Sequence, residues 1–183
     1  MALAHSPKII TNGLILYLDA GNVKSYPGTG TTWTDLSSSG INGTLVNGPA
    51  YSSTNGGLIA FDGSNDYSSL SSKVIPATGA FTVFFTYALT GSGGRGGLFE
   101  RKTSLPYNGF SFGQGGTGNW AVTISGTSDF SNNQISAVYT YPSLNQIYVD
   151  SAVYNGSNAI TIYRNGALIG TTSGATQGNL DTQ

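Results

Sequence analysis

The stretch FDGSNDYSSL, residues 61–70, holds two aspartates, an asparagine and a glycine between apolar neighbours. Asp62, Asn65 and Asp66 are hard oxygen donors, and Asp19, at the end of the run LILYLD, can supply a fourth. Calcium is held by such donors, usually roughly six to eight of them. The same residue types also build tight turns, because short polar side chains bond their own backbone and glycine accepts positive φ. The first reading is therefore a bend pinned into the core by Phe61 and Tyr67, with a calcium site (Asp62, Asn65, Asp66, Asp19) as the alternative.

Other chemistry has little material. His5 is the one histidine and cysteine is absent, so neither a zinc centre nor a Ser-His-Asp relay can be assembled. The segment GSGGRGG, residues 91–97, lacks the lysine and hydroxyl of a phosphate-cradling loop and reads as a plain glycine loop. Among the aromatics, Trp33, Trp120 and Tyr107, with Tyr26 and Tyr51, have faces on which a sugar can stack, although such residues fill cores as readily. Trp33, beside the Asp35 turn, reads as a core plug. Trp120, beside the loop GQGGTGN, is the better ligand candidate.

The elements that must carry these residues are strands. Gly, Ser, Thr and Asn fill 86 of 183 positions and charged residues only 8%, a composition that disfavours helix. Yet 11 Tyr, 8 Phe and 2 Trp make the chain too aromatic for disorder. Seven Asn-Gly pairs, beginning at Asn12, Asn42, Asn47, Asn55, Asn108, Asn155 and Asn165, mark turns along the whole length. Between them lie short β-rich runs: 14–19, 57–62, 81–89, 97–102, 110–113, 120–125, 134–141, 145–154 and 159–166. In 81–89, Phe81, Val83, Phe85, Tyr87 and Leu89 share one face, and Phe84 breaks the pattern. Ile160, Ile162 and Arg164 oppose Thr161 and Tyr163, and Asn165-Gly166 returns the chain into 167–170. The expectation is an all-β, jelly-roll sandwich of two antiparallel sheets, in one domain over 1–183.

Read together, GLILYLDAGN, SYPGTGTTWTDLS, INGTLVNGP, IAFDGSNDY and ITIYRNGALIG, in this order, resemble the laminin-G-like branch of the concanavalin A-like lectin/glucanase superfamily, in the form found in tailed-phage virion proteins. The likeness is strongest over 12–67 and 145–170. It implies a curved two-sheet jelly roll, no enzyme activity in most members, carbohydrate or protein binding, and calcium in some. Two departures stand out. The chain ends in TTSGATQGNLDTQ where relatives add a closing strand and short helix, which implies an edge left open or completed by a partner. Ile147 stands where a tryptophan commonly opens the strand. Glucanases of the superfamily need two carboxylates about 5.5 Å apart, whereas this chain has one glutamate, Glu100, flanked by Arg101 and Lys102, so no enzyme is expected.

The function expected is a non-enzymatic phage virion structural protein at the virion surface: a decoration, fibre or whisker module in contact with other virion proteins, homo-oligomeric, and touching host glycans. The alternative is a free carbohydrate-binding lectin, calcium-dependent or not; no cofactor is required. The formal net charge of −1, with seven scattered basic residues, gives no footprint for nucleic acid or an anionic membrane. No secretory leader or spanning segment is read in the sequence. The sequons at Asn42 and Asn155 read as incidental.

Overall fold

The structure is a computed structural model, and it describes residues 9–76, 78–91, 97–102, 109–114, 119–125, 134–140 and 142–174. The chain divides into two compact units, Met1–Val74 and Ile75–Gln183, which carry separate sheets.

In the first unit, strands β1 (Thr32–Trp33), β2 (Gly43–Val46) and β5 (Tyr67–Leu70) form one antiparallel sheet with β2 in the middle. The others, β3 (Ala50–Ser52) and β4 (Leu58–Ala60), form a two-stranded hairpin around a single 3₁₀ turn at Thr54–Gly56. The expected strand at 14–19 does not form. Side chains take the place of a ladder partner there. Asp35 accepts the Tyr17 N–H at 2.8 Å, Ser37 Oγ donates to the Ile15 carbonyl at 2.9 Å, and Ser25 Oγ accepts the Asp19 N–H at 3.0 Å.

The second unit is a sandwich. Strand β6 (Phe81–Ala88) leads to the meander β7 (Gly97–Lys102), β8 (Gly109–Gln114), β9 (Asn119–Ser125) and β10 (Gln134–Thr140). The chain then returns to lay β11 (Ile147–Tyr154) beside β6, followed by β12 (Ala159–Arg164) and β13 (Ala167–Ser173). The two antiparallel sheets, in orders β10-β9-β8-β7 and β13-β12-β11-β6, have the nested order of a jelly-roll sandwich. Aromatic rings join the layers. Phe81 meets Phe110 edge-on at 5.4 Å and Phe85 meets Phe112 at 4.8 Å. Phe110, Phe112, Val122 and Ile124 from one sheet and Ala152, Ile160 and Ile162 from the other are buried. Burial of each large side chain contributes about 1.5–3 kcal/mol.

Alternation in β6 follows the sequence reading. Phe81, Val83, Phe85 and Tyr87 turn inward, and Phe84, the residue that breaks the pattern, is 70% exposed on the outer face. Asn165-Gly166, with φ of 50° and 80°, makes the two-residue β12–β13 turn, a conformation that needs both residues to tolerate positive φ. Two residues later the β12–β13 register shifts, leaving Ile169 as an inserted residue in β13. Among the described residues β13 pairs only with β12 and so ends its sheet.

Candidate functional site

The sequence-predicted loop at 61–67 is a closed turn. Asp62 Oδ1 accepts the backbone N–H of Ser64 at 2.8 Å and of Asn65 at 3.4 Å, and Asp66 Oδ2 accepts the Asp62 N–H at 3.1 Å. The side chain of Asn47, itself at φ 67°, donates to the Asn65 carbonyl at 2.6 Å, tying the loop to the turn after β2. These backbone N–H groups, Ser64 foremost, hold the Asp62 carboxyl below the usual carboxylate range.

The aromatic flanks differ from the expectation. Phe61 is 43% and Tyr67 52% exposed, so neither anchors the bend in the core. Register supplies the reason for Tyr67: it pairs with Val46, while the buried Leu45 pairs with Ser68, so Tyr67 leaves the sheet on the opposite face from Leu45. Two exposed rings therefore flank the loop. Within the loop, the Asp62 side chain is exposed and that of Asp66 half-buried. Such an arrangement can accept hydroxyl protons while a ring covers an apolar face.

Asp19 is engaged elsewhere, its Oδ1 by the Gly21 N–H and its Oδ2 by the Tyr17 hydroxyl, both at 2.9 Å. Burial, then Asp19 as hydrogen-bond partner and charge, raises the Tyr17 pKa. Among the described residues no three carboxylate, histidine or cysteine side chains form a group that could hold a metal ion. Asp62, Asn65 and Asp66 are joined by the bonds of the turn.

The aromatic candidates part company. Trp33 is half-buried in β1, paired with Gly43, and its indole nitrogen is buried without a partner among the described residues. Trp120 lies in β9, opposite Tyr139 and Gln114 in register, its side chain outside the described residues. Tyr107 and His5 also lie outside them, as does the Glu100 side chain, although Glu100 itself belongs to β7. Tyr26 is buried with its hydroxyl donating to the Gly30 carbonyl at 2.8 Å, and its ring meets Tyr51 at 5.5 Å, a structural pairing. Ile147 is exposed at the start of β11.

Two charged groups escaped the sequence reading. Asp35, in the first unit, is almost fully buried and accepts four hydrogen bonds: from the Tyr17, Ser37 and Ile41 N–H groups and from Ser37 Oγ at 2.6 Å. Burial pushes its pKa up, but those four donors outweigh it and leave the carboxyl below its usual range. The other is Asp150 in the sandwich, with no exposed surface. Arg164 binds it bidentately, Nε to Oδ1 at 3.0 Å and Nη2 to Oδ2 at 2.9 Å, and the Tyr87 hydroxyl donates to Oδ2 at 2.7 Å. The Arg164 guanidinium also lies over the Tyr148 ring at 4.8 Å. The signal for this pair was present: Asp150 and Arg164 fall on inward positions of adjacent hairpin strands, directly opposite in register. An inward acid opposite an inward arginine is a pair. This carboxylate is paired with a cation and held in place by Arg164 and Tyr87.

Residues 62–183, well over half of the chain, match the Laminin_G_3 family of the concanavalin A-like lectin/glucanases superfamily. The chain belongs to that superfamily. The matched region takes in the loop from Asp62, strand β5 and the whole second unit, and starts near the end of the 12–67 stretch in which the likeness looked strongest. No curated protein and no solved structure is matched.

Proposed function

We propose that this chain is a non-enzymatic attachment module that contacts carbohydrate through the loop at residues 61–67. Membership of the lectin/glucanase superfamily supports glycan binding as the general capacity. The observation that carries the choice of loop is the exposure of Phe61 and Tyr67 on either side of two carboxylates, that of Asp62 itself exposed. The reading without catalysis is supported by the lone glutamate of the sequence and by the Arg164 clamp on Asp150, since a glycosidase needs two reactive carboxyl groups facing one bond. Trp120 and Tyr107 are separate ligand candidates, read from the sequence alone.

The finer placement, a decoration, fibre or whisker on a phage particle with other virion proteins and further copies as neighbours, rests on the sequence resemblance alone. Crosslinking in intact particles tests it, and a free, monomeric, sugar-binding protein would instead make it a lectin. For binding itself, a panel of neutral oligosaccharides is titrated with and without a calcium chelator. Saturable binding that survives chelation, with no release of reducing sugar, is the expected result. Loss of binding on chelation with recovery by calcium would replace the turn at 62–66 by a metal site, and turnover would end the non-enzymatic reading.

A further inference from the structure

We infer that Asn55-Gly56 is a self-modification site at which the protein converts its own asparagine to aspartate and isoaspartate. In this reaction the backbone nitrogen of the glycine attacks the asparagine Cγ, forming a C–N bond and expelling ammonia to close a five-membered succinimide. Water then opens the ring at either carbonyl. One water enters and one ammonia leaves; the side-chain amide becomes a carboxylate, or the backbone is rerouted through the side chain. Glycine in second place removes the steric barrier to attack, so every Asn-Gly pair is a candidate by sequence. Restraint by the fold then sorts the six whose asparagine is among the described residues; Asn108 lies outside them.

Four of the pairs are held. The Asn165 side chain accepts the Val149 N–H at 2.9 Å while its own N–H donates to the Val149 carbonyl at 2.8 Å. Asn155 Oδ1 accepts three backbone N–H groups, those of Ser157, Asn158 and Ala159, at 2.9 to 3.0 Å. Asn42 Oδ1 accepts the Asp35 N–H at 2.9 Å, and Asn47 donates to the Asn65 carbonyl. In each, Cγ must break an existing bond before it can reach the next nitrogen. Asn55 is exposed and its side chain has no hydrogen bond among the described residues; Asn12 is the same. The turn around Asn55 is closed by one backbone bond, from the Gly57 N–H to the Thr54 carbonyl at 3.0 Å.

Position gives modification at Asn55 a consequence that Asn12 lacks. The backbone at Gly57 packs so closely on the chain at 20–21 that a Cβ there would lie 2.6 Å from Gly21 Cα and 2.8 Å from the Ala20 carbonyl oxygen. Isoaspartate inserts an extra backbone carbon just before this contact, so the β3–β4 turn must lift away from Ala20 and Gly21.

The full chain is incubated at mildly alkaline pH and followed by peptide mapping with isoaspartate-specific separation, folded and in denaturant. Each retained hydrogen bond slows access by roughly five-fold, so folded Asn55 is expected to convert at least about ten-fold faster than Asn155 and Asn165, and in denaturant the sites converge. Conversion of folded Asn155 or Asn165 at the rate of Asn55, or faster, overturns the inference. Hydrogen exchange at the Gly57 amide reads the consequence: faster exchange in the modified fraction supports the lifted turn, and unchanged exchange refutes it. Asn55→Gln removes the conversion and serves as the unmodified reference.

Discussion

Asp35 does at residue scale what a strand partner does elsewhere. Its carboxylate gathers the N–H groups of Tyr17, Ser37 and Ile41, and its own N–H is received by Asn42. Because the folded carboxyl sits below its unfolded value of about 3.9, its contribution is complete above that value and is lost as pH falls through the lower folded one. Asp35→Asn is expected to cost at least about 2 kcal/mol at neutral pH, since hydrogen bonds to a charged group are the stronger kind, and to flatten the acid limb of a stability profile. Denaturant melts from pH 6 down to about 2 check this, and an unchanged acid limb contradicts it. The buried pair makes a second residue-scale prediction. Arg164→Met strands Asp150 without its cation and should cost about 3–5 kcal/mol, whereas adding Asp150→Leu should recover most of the loss. Chemical denaturation of the single and double variants decides; equal losses in both would mean that the pair stabilises by charge and not by avoiding an unpaired one.

At element scale, what the sequence revealed and what it hid divide along physical lines. Runs with period-two alternation and a turn at each end, such as 81–88 and 159–164, became strands with the expected inward faces. The run at 14–19 has the same apolar character, yet polar side chains from residues 25, 35 and 37 satisfy its backbone, and no local pattern encodes partners so distant in the chain. Asn-Gly was a sound hairpin signal at Asn165 but not at Asn42, where the side chain bonds Asp35 and Gly43 continues as strand. Gly43 is small for a different reason: a Cβ there would lie 2.8 Å from Ser68 Oγ and 3.3 Å from Trp33 Cβ. The 61–67 loop was legible as a turn from its residue types. The outward direction of Tyr67 was not, because it follows from the β2–β5 register, and a shift of one residue reverses every side chain.

At the scale of the whole molecule, superfamily membership sets a capacity and the site must select its use. The sandwich places its charged pair inside and in mutual contact, where it is spent on packing. Among the described residues the exposed aromatic rings are those of Phe61 and Tyr67 beside Asp62, of Tyr51 in β3 and of Phe84 on the outer face of the sandwich. Phe61 and Tyr67 have two carboxylates between them, the combination of ring and acceptor that sugar recognition requires. The most direct test compares the affinity of wild type, Phe61→Ala, Tyr67→Ala and a Phe84→Ala control for the tightest-binding oligosaccharide of a neutral panel, with circular dichroism confirming an unchanged β fold. Loss of one stacking ring should weaken binding by roughly five- to ten-fold for either loop variant, the equivalent of about 1 kcal/mol or slightly more, and leave the control at wild-type affinity. Wild-type affinity in both loop variants would contradict the assignment of this loop.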